Sequence, residues 1–273
     1  MSGRLTFDLL DDVAIATQKG KDTSEHLARI TSVELGPLAE WLLLSNERGG
    51  LLTTLRVAEH QPFVKASLNA LRTPGNVVFC EHEFQRAAFL TTSRNPLAAN
   101  QVEWSKFQMR MSKAGQDAGL HATEAHAMVA ALEEIETNIH EHSERSHDGL
   151  VAFLTRPGEL AFIVADSGIG PLASFQSNEE YVHVTDAGQA LKLTIADGQS
   201  RFGSRANRGL GYHSLFIGLA ALNASLRFRA GNRALVIEGQ SPSRIGAALL
   251  ERVPMQGFLA SVVCRSLQAS LLH

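Results

Sequence analysis

A chain of 273 residues allows one to two domains, and 44% hydrophobic content is enough for a sizeable core. The net charge of −3 and pI near 6.4 give no basic footprint, which excludes nucleic acid and anionic membrane as expected direct partners. Two distant cysteines (Cys80, Cys264), no charged-then-apolar leader and no apolar run near the roughly 18 residues of a membrane span give the expectation of a cytoplasmic protein.

In chain order, residues 5–10 and 26–34 read as strands, and residues 36–46 as a helix. Gly49-Gly50 breaks the chain before a strand at 51–57, and a helix at 61–71 is ended by Thr73-Pro74-Gly75 before a strand at 76–80. Strands alternating with helices predict a small N-terminal α/β layer over residues 1–100. A second part, residues 101–273, opens with helices running from about Glu103 to Ser143. Residues 150–155 and 160–165, joined by Arg156-Pro157-Gly158, predict a hairpin whose second strand delivers Asp166. Residues 171–208 form a long connection with a short helix near 186–196, and Ser200, Arg201, Ser204, Arg205 and Arg208 cluster at its end. An apolar helix over 210–222 and strands at 225–229, 234–238 and 258–265 complete the pattern.

Three short motifs carry the chemistry. Glu134, Asn138 and His142 stand four residues apart and share one helix face. Magnesium takes oxygen ligands and keeps several waters, so the Asn138 carboxamide could suffice as its protein ligand, with Glu134 one turn earlier to order a water or take a proton. Asp166-Ser167-Gly168-Ile169-Gly170 follows an apolar run: glycines at 168 and 170 let the backbone approach a flat base, and the Asp166 carboxylate can accept from an exocyclic amine. Arg208-Gly209-Leu210-Gly211-Tyr212 precedes another apolar run, where a helix start suits phosphate oxygens. Taken singly, the first motif is also an acidic solvated face and the others an ordinary turn and helix start; their joint occurrence favours a nucleotide site.

From about residue 105 to 265 the chain resembles the GHKL ATPase superfamily, which includes histidine kinases, type II topoisomerases and bacterial anti-sigma-factor serine kinases. Leu132, Glu134, Ile135, Asn138 and His142 fill its N box, Asp166, Gly168 and Gly170 its D-x-G-x-G box, and residues 208–212 its second glycine box, with Tyr212 where leucine is common. The resemblance implies an α+β two-layer sandwich of the Bergerat ATP-binding type over residues 101–273, binding ATP and Mg2+. In it Glu134 is the catalytic base, Asn138 the metal ligand, and His142, Asp166, Gly168, Gly170, Arg208, Gly209, Leu210 and Gly211 line the nucleotide, under a lid formed by residues 171–208. The family's late Gly-Thr pair has its best counterpart in Gly257-Phe258, and phenylalanine cannot donate the threonine's hydrogen bond.

A zinc reading of His140, His142, His147 and Asp148, or of Cys80 with His82, fails on spacing. About 60 residues after the second glycine box leave no room for the transducer domain of the mechanical family members, and the phosphoacceptor histidine of histidine kinases is absent. The layout is most similar to the anti-sigma-factor serine kinases, which implies a soluble regulator that phosphorylates a serine on a partner such as a STAS-domain antagonist or a sigma factor, and allows a homodimer. The alternative is a binding module in which ATP orders the lid and changes partner affinity without turnover. The N-terminal layer is itself faintly similar to STAS domains.

Overall fold

The computed structural model describes residues 3–47, 77–82, 85–91, 101–142, 149–196, 212–220 and 222–266. Its strands are β1 (Gly3–Leu5), β2 (Ile30–Val33), β3 (Val78–His82), β4 (Gln85–Thr91), β5 (Leu150–Arg156), β6 (Glu159–Asp166), β7 (Asn223–Gln240) and β8 (Ala248–Arg265). Its α-helices are α1 (Phe7–Gln18), α2 (Ser24–Ala28), α3 (Leu35–Glu47), α4 (Gln101–Asp117), α5 (Ala122–His142), α6 (Gly170–Gln176), α7 (Ala187–Thr194) and α8 (His213–Leu219).

Strands β3 to β8 form one antiparallel sheet in the order β3-β4-β5-β6-β8-β7, so the protein is mixed α/β with an antiparallel sheet at its centre. β5 and β6 are buried at nearly every position, which for strands with alternating side chains means that both faces are covered. Val151, Phe153, Leu160, Phe162 and Val164 join one apolar cluster with Phe107 and Met111 of α4, Met128, Leu132 and Ile135 of α5, and Leu215 and Leu219 of α8. Their neighbours in sequence, Ala152, Leu154, Ala161 and Ile163, join a second cluster with Leu10 and Val13 of α1 and Leu38, Ala39 and Trp41 of α3. Close approach on that second face requires a missing side chain: a Cβ at Gly36 would stand 2.6 Å from the Phe7 ring and overlap the Ser261 hydroxyl.

The sheet thus has helices on both faces, where two layers were expected, and it takes strands from both sides of residue 100. Of residues 5–10, expected as a strand, Leu5 ends β1 and residues 7–10 open α1, which Thr6 caps by accepting from the Leu9 N–H at 3.4 Å. Residues 26–34 divide into the end of α2 and β2. β1 and β2 pair parallel as a two-stranded sheet of their own, and nothing in it supports a STAS-like layer among the described residues. The helix at 36–46 and the strand at 76–80 have counterparts in α3 and β3, while the elements expected at 51–57 and 61–71 lie outside the described residues.

Two late strands expected at 225–229 and 234–238 are one strand, β7, with its register broken around Gly231 at φ 51°. Opposite that break, residues 252–254 of β8 bulge between the pairs Arg233↔Glu251 and Gly231↔Met255. Pro254 sits in the bulge, where no ladder N–H is needed.

The bulge is held by charges under α1 and α3. Arg227 donates to Glu40 (Nε to Oε2, 2.9 Å; Nη2 to Oε1, 3.0 Å) and to both Asp11 oxygens at 3.1 and 2.7 Å. Arg229 donates to Glu40 Oε1 at 2.9 Å and to the carbonyls of Gly231, Arg233 and Val253. Arg252 Nε reaches Asp11 Oδ2 at 2.6 Å. Burial works against the Arg227 charge, and the carboxylates of Glu40 and Asp11 more than offset it.

Candidate functional site

Asp166 ends β6 on the same face as Leu160, Phe162 and Val164, which is the face that α5 covers. It is 3% exposed, and its Oδ1 accepts from the Gly168 N–H at 2.7 Å, closing a side-chain turn over the start of the loop. At Gly170 the backbone takes φ 74° into α6, and a Cβ there would stand 3.1 Å from the Gly257 carbonyl oxygen. Gly257 has the same need from the other side: at φ 76°, its Cβ would overlap the Asp166 carbonyl oxygen and stand 2.7 Å from the carbonyl carbon. Gln256 adds a side-chain bond to the Ser167 carbonyl at 3.1 Å. The loop after β6 and the bend in β8 are therefore fitted to each other, backbone against backbone.

Phe258 follows Gly257 and pairs in register with Asp166 on one side and Ala230 on the other. Paired residues in an antiparallel sheet share a face, so an apolar side chain stands next to the Asp166 carboxylate where a hydroxyl was the family expectation. One row further into the sheet, Phe228 takes the edge of the Tyr212 ring, centroids 5.4 Å apart. Tyr212 directly precedes α8 and is 4% exposed, and its hydroxyl has no hydrogen-bond partner among the described residues. Burial, then the charges of Asp166 and Glu134, push its phenol well above the ordinary tyrosine value. Glu134 is half-buried on α5, between the buried Ala131, Leu132 and Ile135. The Asp166, Glu134 and Tyr212 side chains thus share one electrostatic neighbourhood at this end of the sheet.

The segment after Gly170 carries its own small core of Phe175, Tyr181, Val184 and Ala190. Asp186 caps α7 by accepting from the N–H groups of Gly188 and Gln189 at 2.8 and 3.0 Å, as the short helix expected near 186–196 requires. α7 then lies on the β7–β8 arm, with Gly188 pressed against Leu249.

Of the residues singled out from the sequence, Glu134 lies on α5, Asp166 ends β6, Gly168 is in the loop that follows and Gly170 opens α6. Asn138 and His142 occupy successive turns of α5 after Glu134, and their side chains lie outside the described residues. Arg208, Gly209, Leu210 and Gly211 lie outside them altogether, as do Ser200, Arg201, Ser204 and Arg205. Tyr212 was noticed only as a departure from leucine; a phenol opening an otherwise apolar helix was the signal that its hydroxyl needs a partner. Among the described residues no cluster of three or more histidine, cysteine or acidic side chains could hold a metal ion, and no helix is long and apolar enough to cross a membrane.

No protein-family model matches the chain, and no curated protein matches it. Among solved structures, the B subunit of DNA gyrase from Myxococcus xanthus aligns at 12% identity with a TM-score of 0.30 over 60% of this chain and 43% of that one. The chain thus spans less than half of that subunit's length.

Proposed function

We propose that this chain binds ATP with magnesium at the end of the sheet where β6 meets α5. The observation that carries this reading is the buried Asp166 carboxylate, on the same sheet face as the Tyr212 hydroxyl and next to the glycine contact between residues 170 and 257. A buried carboxylate next to an apolar neighbour suits a flat base with an exocyclic amine, and the two glycines hold the loop that carries it against the bend in β8. By their chemistry, Asp166 would hold the base, Asn138 the magnesium ion and residues 208–211 the phosphates. Magnesium needs few protein ligands because it keeps its waters, so a site without a carboxylate cluster is compatible with it. The metal would neutralise developing phosphate charge, and Glu134 would accept a proton from an incoming hydroxyl or water.

Within this reading the protein is a GHKL-type signalling protein that transfers phosphate to a serine of a partner, of the STAS-antagonist or sigma-factor kind, as a cytoplasmic monomer or homodimer. A second reading is a switched binding module without turnover, in which ATP orders the segment after Gly170 and changes partner affinity. Calorimetry with magnesium-ATP tests the site common to both. Asn138→Ala should lose about 1.5–3 kcal/mol of magnesium-dependent affinity, the scale of a bond to a charged group. Asp166→Asn should lose most of the affinity and the preference for ATP over GTP. Unchanged affinity in both variants would refute the site, and phosphate on a partner by mass spectrometry would decide for the kinase.

A further inference from the structure

We propose that the Tyr212 hydroxyl reads the purine ring together with Asp166, so that this pair, and not a threonine, selects adenine. The proposal rests on the nucleotide reading of the site and adds to it a specificity-determining residue. A phenol hydroxyl buried without a partner is unfavourable in the free protein, and such a group persists where something supplies the missing bond. Phe258 leaves the floor of the site beside Asp166 without a hydroxyl. Tyr212 comes onto the same face from the start of α8, its ring seated on Phe228 one row from Phe258.

The chemistry of the pair is directional. Burial and the neighbouring carboxylates keep the phenol protonated, so it offers an O–H donor, whereas the Asp166 carboxylate only accepts. A donor and an acceptor on the same face are the complement of the adenine edge, whose ring nitrogen N1 accepts and whose exocyclic amine donates. Guanine presents the reverse at both atoms, an N1–H donor and an O6 acceptor, and would set O6 against the carboxylate.

Tyr212→Phe removes the hydroxyl and keeps the ring packing, and it is tested on the full chain by calorimetry with ATP, GTP and 1-deaza-ATP, which lacks the N1 acceptor. The expected result is an affinity for ATP about tenfold lower than wild type, a reduced ATP-over-GTP ratio, and no further loss for 1-deaza-ATP. Without nucleotide the same variant should melt about 2–4 °C higher, because a buried unpaired group is gone. An ATP affinity within twofold of wild type, or equal losses for ATP and 1-deaza-ATP, overturns the role of Tyr212 while leaving the site in place. A wild-type chain that binds no ATP overturns the site and this inference together.

Discussion

Glu40→Ala should be among the most destabilising single substitutions in this chain. The Glu40 side chain is 1% exposed and accepts three charged bonds, from Arg227 Nε, Arg227 Nη2 and Arg229 Nε, at 2.9, 3.0 and 2.9 Å. At about 1.5–3 kcal/mol each these would sum to roughly 4–9 kcal/mol, but they share one acceptor group and are not additive. Removing one partner of a buried ion pair costs about 3–5 kcal/mol, and that is the expected loss. Against a total stability of about 5–15 kcal/mol it is roughly a fifth or more. Arg229 keeps its carbonyl partners at Gly231, Arg233 and Val253, which holds the loss below the full sum. Asp11→Ala should cost less, about 1–3 kcal/mol, because its partner Arg252 is 21% exposed and can turn to water. Urea unfolding followed by circular dichroism, with unchanged slope, reads both numbers. A loss below about 1 kcal/mol for Glu40→Ala, or a larger loss for Asp11→Ala, would show that the cluster does not tie the helices to the sheet.

Gly257→Ala and Gly20→Ala form a matched pair, with φ 76° and 72° but only the first facing another backbone. Gly20→Ala should cost about 1 kcal/mol of left-handed strain, and Gly257→Ala at least about 3 kcal/mol together with nucleotide binding; equal thermal shifts would refute the close contact. In the catalytic reading, Glu134→Gln should keep ATP binding and lower phosphate release about 100- to 10,000-fold, and an equally active variant would move the base elsewhere. Burial pushes the Cys264 thiol up to about 12, from an ordinary value of 9.0. A raised folded value means its contribution to stability is complete below about pH 9 and is lost as pH rises toward 12. The urea midpoint of the native chain should therefore fall more between pH 8 and pH 10.5 than that of Cys264→Ala, and parallel falls would contradict the burial.

What could be read from the sequence was local. The β5–β6 hairpin is apolar on both faces and turns at Arg156-Pro157-Gly158, so its position, and that of Asp166 at its end, followed from composition alone. The helix start at Asp186 and the spacing of Glu134 on α5 were legible for the same reason. Helix α1 was not: apolar residues at 5, 7 and 9 mimic a strand, while the helical face of Leu10, Asp11, Val13 and Ala14 includes a charge. That charge makes sense only beside Arg227 and Arg252, more than 200 residues away. Arg227 and Arg229, alternating on β7, have the pattern of a solvent face and are instead buried, because α1 and α3 bring the carboxylates to them. The first half of β8 was hidden by Glu251 and by Arg252 and Pro254, the last two in a bulge rather than a regular ladder.

Because β4 is bonded to β5 along its whole length, from Arg86↔Thr155 to Thr91↔Leu150, the pocket is not a detachable cassette. A fragment beginning near residue 101 would bare β5 as an edge of Leu150, Val151, Ala152, Phe153 and Leu154, with no charge or proline to blunt it. It would also strip the cover from Ile163 and Leu259 and leave Arg227 and Arg229 without either carboxylate. Such a piece offers other chains an open apolar strand to pair with, so shortening this protein to the part after residue 100 leads to aggregation before it leads to a smaller folded protein.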